Sequence, residues 1–196
     1  PGQTEETKVA ISSHTGAMAG IYEAQNAAFK QSNLINADNL ENFFYLLSFF
    51  SKFHEKHNLT EALVITNAGG PAVITVDELT KNNISLTKIT DVFITKMQHV
   101  LPQNASLKNP IDILGDADPK RLESLLSVLK PNTFSKLCLL HLTPQENTNL
   151  IGMAKTLIKR KFRFKGVFIA NIIGGDMADK ARFILKKTAL MIADEF

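Results

Sequence analysis

The 196-residue chain is 44% hydrophobic and 21% charged, ordinary proportions for a globular protein with a substantial core. Its formal net charge is +3, with acids and bases mixed along the chain, which argues against a nucleic-acid or membrane-binding surface. No apolar run reaches the roughly 18 residues of a membrane span, no signal peptide opens the chain, and the single Cys138 has no partner for an internal disulfide, so a cytoplasmic setting is expected.

At roughly 100–200 residues per domain, the length allows one domain, or one plus part of another. Pro1 to Thr7 is polar and reads as a flexible lead-in to a piece cut from something longer. Thr15 to Gln31, rich in Ala, predicts a helix, and Leu34 to Ala37 a short strand. Asp38 with Glu41 resembles a capping box ahead of a helix over about Asn39 to His57, with Phe43, Phe44, Leu47, Phe50 and Phe53 on a broad apolar face. From Glu61 the pattern changes. Short apolar strands are predicted at Ala62–Ile65, Ile84–Leu86, Leu137–Leu142, Val167–Ile173 and Leu190–Ile192. Helices are predicted from Pro71 to about Asn82, over Thr90–Val100, from Pro119 behind the cap Asp118, over Thr148–Lys161 and over Asp176–Lys187. Asn104 to Asp116 reads as a loop. Strands apolar almost throughout, alternating with amphipathic helices, predict a parallel sheet covered on both faces. The expected fold is a flavodoxin-like doubly wound α/β domain with strand order 2-1-3-4-5.

Ligands of such a sheet bind beyond the carboxyl ends of its strands. The loops leaving those ends contain Asn67–Pro71, Asn109–Asp116, Thr143–Gln145 and Gly174–Asp176. In Asn67-Ala68-Gly69-Gly70-Pro71, paired glycines let backbone approach a ligand, and the following helix offers free N–H groups and positive dipole charge. The pattern fits an anion site and equally a plain strand-to-helix turn. It is not a Walker A loop, since no Gly-Lys-Ser/Thr follows. His14 lies directly before the predicted Ala-rich helix, where the dipole would disfavour protonation and keep a ring nitrogen nucleophilic. A surface histidine near a helix cap is the simpler alternative. No Gly-x-Ser-x-Gly elbow supports a hydrolase.

Five segments together resemble the signatures of the NDP-forming acyl-CoA synthetases, relatives of succinyl-CoA synthetase. They are Ser13-His14-Thr15-Gly16-Ala17-Met18-Ala19-Gly20, Thr66–Pro71, Ala105-Ser106 with Asn109–Ala117, Leu142-Thr143-Pro144-Gln145, and Gly174-Gly175, in the family's order. The resemblance implies that His14 is a catalytic phosphohistidine. It implies that two helix N-termini, at Thr15–Gly16 and at Gly70–Pro71, face the phosphoryl group. Ser13, Thr15, Gly16, Ala17, Asn67, Ala68, Gly69, Gly70 and Pro71 would then bind phosphate. Asn109, Asp112, Gly115, Asp116, Thr143, Gln145, Gly174 and Gly175 would edge the site.

The implied reaction is acyl-CoA + ADP + phosphate ⇌ acid + CoA + ATP, with CoA, phosphate and ATP/ADP with Mg²⁺ as substrates and no tightly bound cofactor or metal. Residues 1–58 would be the C-terminal part of a first ligase domain, and 59–196 the flavodoxin-like ligase domain. The CoA-binding and ATP-grasp parts would lie elsewhere on the parent chain or on a partner subunit, so this chain alone would not turn over. A homo- or hetero-oligomer is expected, with neither nucleic acid nor membrane as partner. The alternative is a non-catalytic regulatory or oligomerisation module, such as the ligase-like segments fused to protein acetyltransferases.

Overall fold

The computed structural model describes residues 4–15, 21–53, 58–129, 136–159, 166–186 and 191–193. The chain divides into two compact units, Pro1–Ser48 and Phe49–Phe196.

The first unit contains helices α1 (Glu5–Thr15) and α2 (Tyr22–Gln31) and most of α3 (Leu40–Lys52). The start of α1 corrects the expectation of a flexible lead-in. Thr4 and Thr7 exchange hydrogen bonds there, the Thr7 amide donating to Thr4 Oγ1 at 3.3 Å and the Thr4 amide to Thr7 Oγ1 at 3.1 Å. Such reciprocal capping satisfies amides that a helix leaves unpaired at its start. The helix expected over Thr15–Gln31 is realised as Tyr22–Gln31, with residues 16–20 outside the described ones. No strand forms at Leu34–Ala37. The cap of α3 is Asn39 rather than Asp38, its Oδ1 accepting from the Asn42 amide at 2.8 Å. Neither α2 nor α3 contains a buried residue, and Leu40, Phe43, Phe44 and Leu47 are exposed.

The second unit is the expected doubly wound domain. Strands β1 (Glu61–Thr66), β2 (Ser85–Leu86), β3 (Ile111–Asp112), β4 (Leu137–Leu142), β5 (Val167–Ile172) and β6 (Met191–Ala193) form a parallel sheet in the order β2-β1-β4-β5-β6. That is the predicted 2-1-3-4-5 order once the two-residue β3, which pairs with β1, is set aside. Helices α4 (Gly69–Lys81), α5 (Asp91–Gln98), α6 (Pro119–Val128), α7 (Leu150–Lys159) and α8 (Asp176–Leu185) alternate with the strands. Side chains alternate across each strand, so each strand feeds two cores. Leu63, Ile65, Leu140, Leu142, Ala170 and Ile172 meet the buried faces of α5, α6, α7 and α8. Ala62, Val64, Leu137 and Val167 meet Leu79 of α4 together with the rings of Phe49 and Phe53. Phe49 lies in the last turn of α3 and Phe53 just after it. Among the described residues no helix is long and apolar enough to cross a membrane.

The stretch read as the loop Asn104–Asp116 holds β3, and its most constrained residue is Asn109. Asn109 Oδ1 accepts from the Val64 amide at 2.9 Å, while Nδ2 donates to the carbonyls of Ala62 at 2.8 Å and Thr87 at 3.0 Å. The side chain thus fills the gap in the ladder beside β1 where β2 ends. Asn109 substitutes for a strand beside β1. Without it the Ala62 carbonyl would keep the Thr87 amide at 2.9 Å, but the Val64 amide and the Thr87 carbonyl would lose the Asn109 partner, each at about 1–3 kcal/mol if left buried and unpaired. Asn109→Ala is therefore expected to lower the unfolding free energy by on the order of 3 kcal/mol in urea titrations, with the exposed neighbour Lys108→Ala close to neutral.

Candidate functional site

A strand of a parallel sheet delivers its backbone to the carboxyl edge and must then turn into a helix. At the end of β1 this turn is held by side chains. The Asn67 amide donates to the His141 carbonyl at 3.3 Å, continuing the β1–β4 ladder by one step. Beyond that step the strands part and the Asn67 side chain takes over. Its Oδ1 accepts from the Thr143 amide at 2.8 Å and from Thr143 Oγ1 at 3.3 Å, and its Nδ2 donates to the Thr143 carbonyl at 2.9 Å. The Asn67–Ala68 peptide is fixed at both ends. Gln145 Nε2 donates to the Asn67 carbonyl at 2.9 Å, and the Ala68 amide donates to Thr66 Oγ1 at 3.0 Å.

The helix that follows, α4, has an unusual start. Its N-cap, Ala68, supplies no capping side chain, and its first turn holds no acidic residue. Its first two residues, Gly69 and Gly70, have nothing within 4 Å of where a Cβ would stand. Neither glycine has a positive φ, so no turn demands it. Alanine is intrinsically the better helix former at such positions. Both glycines are exposed, and the first amides of a helix have no intrahelical acceptor and lie at its positive end, an arrangement suited to an anion. Beside this end runs a cleft of about 350 Å³, with Thr66, Gly69, Val73, Val76, Ser106 and Asp112 in its lining.

Other helix starts on this edge carry either a capping side chain or an acid in the first turn. At α8, Gly175 is the N-cap, but Asp176 and Asp179 sit in the first turn. At α6, Asp118 Oδ1 accepts from the Arg121 amide at 2.7 Å. The Asn149 side chain accepts from the Gly152 amide, at 2.8 Å, at the start of α7.

The remaining expected site-edge residues hold loops in shape. Asp112 Oδ1 accepts from the amide of Leu114, which has φ 69°, at 2.8 Å. Asp116 pairs with Arg121 at 2.6 Å, and the guanidinium beside it holds its carboxyl below the usual range; Arg121 also donates to the Ile113 carbonyl at 2.9 Å. Gly115 lies flat beneath the Gln145 amide, where an added Cβ would fall 1.7 Å from Oε1. Gly174 has φ 126°, and an added Cβ would also meet Pro144, so glycine is required there. Three structural residues carry little signal in the sequence: Thr66, Thr148, whose Oγ1 donates to the Gly115 carbonyl at 2.7 Å, and Arg121. Only the Thr66 hydroxyl at the strand end hints at a side-chain-capped turn.

The position of His14 differs from expectation. It lies in the last turn of α1, the negative end of that helix, rather than ahead of a helix N-terminus. Ser13 Oγ donates to the Ala10 carbonyl at 2.9 Å, a bond within the helix. Gly16 and Ala17 lie outside the described residues, as do the side chains of His14 and Thr15. His14 and the α4 start fall in separate units, so each is described by itself.

The family described as Succinyl-CoA ligase like flavodoxin domain matches residues 1–50. An ADP-forming acetate–CoA ligase I of Archaeoglobus fulgidus is 30% identical over 189 residues, covering 96% of this chain and 26% of that protein. An ADP-forming 4-hydroxybutyrate–CoA ligase of Nitrosopumilus maritimus is 34% identical over 186 residues, covering 94% of this chain and 26% of that protein. The solved structure of a dinucleotide-forming acetyl-coenzyme A synthetase 1 from Ca. Korarchaeum cryptofilum, in complex with phosphate and ADP, superposes with a TM-score of 0.81 at 28% identity. That match covers 99% of this chain and 42% of the other. The chain therefore spans about a quarter of the length of the two curated relatives.

One buried group ties α4 to the sheet. His141 on β4 is 5% exposed, and its Nε2 lies 3.0 Å from Thr75 Oγ1 of α4. Burial pushes its pKa down from 6.5 to about 4. With the folded pKa below the unfolded one, this residue's contribution is complete above pH 6.5. It falls as the pH drops towards 4, where the unfolded chain binds a proton that the folded chain refuses. Thermal melts of wild type and His141→Gln are expected to converge between those pH values, with wild type losing on the order of 3 kcal/mol more than the variant.

Proposed function

This chain belongs to the ADP-forming acyl-CoA synthetase family, and we propose that it supplies the phosphoryl-handling ligase part of such an enzyme. The observation that carries this reading is the start of α4: uncapped, without acid, with two glycines facing open space. Among the described residues nothing packs where a Cβ at either glycine would stand, and an incoming phosphoryl group would account for two glycines there. The ligase names of both relatives, at 30% and 34% identity, favour catalysis over the regulatory-module reading.

In the proposed reaction, phosphate attacks the acyl-CoA thioester carbonyl and CoA leaves as the thiol, giving an acyl phosphate. A ring nitrogen of His14 attacks that phosphorus and the carboxylate leaves. ADP then takes the phosphoryl group from the histidine, giving ATP. Charge on the transferred oxygens spreads in each phosphoryl transfer, so positioning and amide donors do most of the work. The Gly69 and Gly70 amides supply those donors. His14 is assigned by its motif. CoA, phosphate and the nucleotide with Mg²⁺ are the proposed substrates, in the cytoplasm. The CoA-binding and ATP-grasp parts are proposed to lie on further domains or a partner subunit, and exposed Phe43, Phe44 and Leu47 are apolar surface for such an assembly.

With γ-labelled ATP and Mg²⁺, the full-length protein with its ATP-grasp part is expected to take up acid-labile, base-stable label, and His14→Ala to take up none. Gly69→Asp separates stability from function. A carboxylate in the first turn favours the helix by about 0.3–1 kcal/mol yet repels the phosphoryl group. The variant is expected to melt no lower than wild type and to label at least tenfold more slowly; labelling at the wild-type rate would remove α4 from the mechanism. The isolated chain is expected to form no ATP from acyl-CoA, ADP and phosphate in a coupled assay, and steady turnover by it would refute the proposed division of labour.

A further inference from the structure

Gln145 Nε2 donates to the Asn67 carbonyl and so holds the peptide from which α4 starts. The Asn67–Ala68 peptide is clamped at its N–H end by the Thr66 hydroxyl and at its C=O end by Gln145 Nε2. The orientation of that peptide plane sets the direction in which the next amides, Gly69 and Gly70, point. The clamp has a second part. Gln145 lies across Gly115, whose carbonyl is held by the Thr148 hydroxyl at 2.7 Å. A Cβ at Gly115 would overlap Gln145 Oε1 at 1.7 Å, Cδ at 2.4 Å and Nε2 at 2.8 Å. The β3–α6 loop therefore gives Gln145 its resting place, and the β4–α7 loop carries it to β1.

We propose that Gln145 is a positioning residue for the anion-binding start of α4, and that Gly115 acts only by leaving room for it. The proposal rests on the phosphoryl-handling reading of α4. In chemical terms, Gln145 makes no bond to the phosphoryl group; it fixes a peptide plane so that two neighbouring amides converge on that group without reorganising. Gly115→Ala is then a way of evicting Gln145 without touching it. The obstruction is the far end of a flexible side chain, and Gly115 has no positive φ, so the backbone tolerates alanine.

The test is a double-variant cycle in the full-length protein with Gln145→Ala, Gly115→Ala and both together. Two readouts are used: the KM for phosphate against the KM for ADP in ATP formation, and hydrogen exchange in the peptide spanning residues 66–76 without any ligand. Each single variant is expected to raise the KM for phosphate about tenfold, the scale of one lost hydrogen bond, and to leave the KM for ADP unchanged. Each is expected to speed exchange of the 66–76 peptide about equally, and the double variant should be no worse than Gln145→Ala alone. Additive effects, an equal rise in both KM values with a lowered melting temperature, or unchanged exchange would each overturn the assignment. Failure of the wild type to form ATP would count against the functional reading alone, because hydrogen exchange still decides whether Gln145 and Gly115 act as one unit on the start of α4.

Discussion

The bond between the Asn67 side chain and the Thr143 backbone is the constraint on which the carboxyl edge of this domain depends. Parallel strands diverge where each turns into its helix, and the peptide groups just beyond a strand end lose their ladder partners. Asn67 carries a carboxamide, the same donor and acceptor pair as a peptide, and extends the β1–β4 ladder by one side chain. A buried backbone group left unpaired would cost about as much as a lost hydrogen bond. Asn109 applies the same device on the other side of β1, next to β2. Two asparagines therefore let β1 serve as an interior strand although two of its neighbours, β2 and β3, are only two residues long each.

Once the edge is held, the helix starts upon it are no longer equivalent. Two of them meet the need for acceptors with side chains, Asp118 at α6 and Asn149 at α7, and α8 carries the acids Asp176 and Asp179 in its first turn. Only at α4, among the described helix starts on this edge, is there neither a capping side chain nor an acid in the first turn. The field of a helix end falls off within a turn, so a site is distinguished by what already occupies it rather than by the helix itself. Three glycine-bearing turns look alike as letters, and the difference between them lies in the neighbours.

The strands were legible because both faces of the sheet are covered: Leu137–Leu142 and Val167–Ile172 must be apolar nearly throughout, and continuous apolar runs are a strong signal. Strand β3 was not, because two residues between Pro110 and Ile113 have no periodicity, and their pairing with β1 is a tertiary fact. Polar residues in the four loops could be found by position but not sorted by role. Asn109, Asp112, Asp116 and Thr143 all bond backbone or an ion-pair partner, and no local pattern says so. The start of α1 was missed for a different reason: Thr4 and Thr7 are two ordinary polar residues until they cap one another.

The same edge is where the core gives way to chemistry, and the transition is visible residue by residue. Along the face shared with α4, β1 runs Ala62, Val64, Thr66, β4 runs Leu137, Leu139, His141, and β5 runs Val167, Ile169, Asn171. In register, Thr66 lies beside His141, and His141 beside Asn171. All three polar residues are at most 5% exposed. An apolar row there would pack at lower cost, since each buried polar group must find partners to offset its desolvation. What the polar row provides is hydrogen-bonding reach into the turns above: Thr66 orients Ala68, and His141 holds Thr75 of α4. Stability spent on that row fixes the helix whose N-terminus stays open, so the last buried layer of the sheet already belongs to the site.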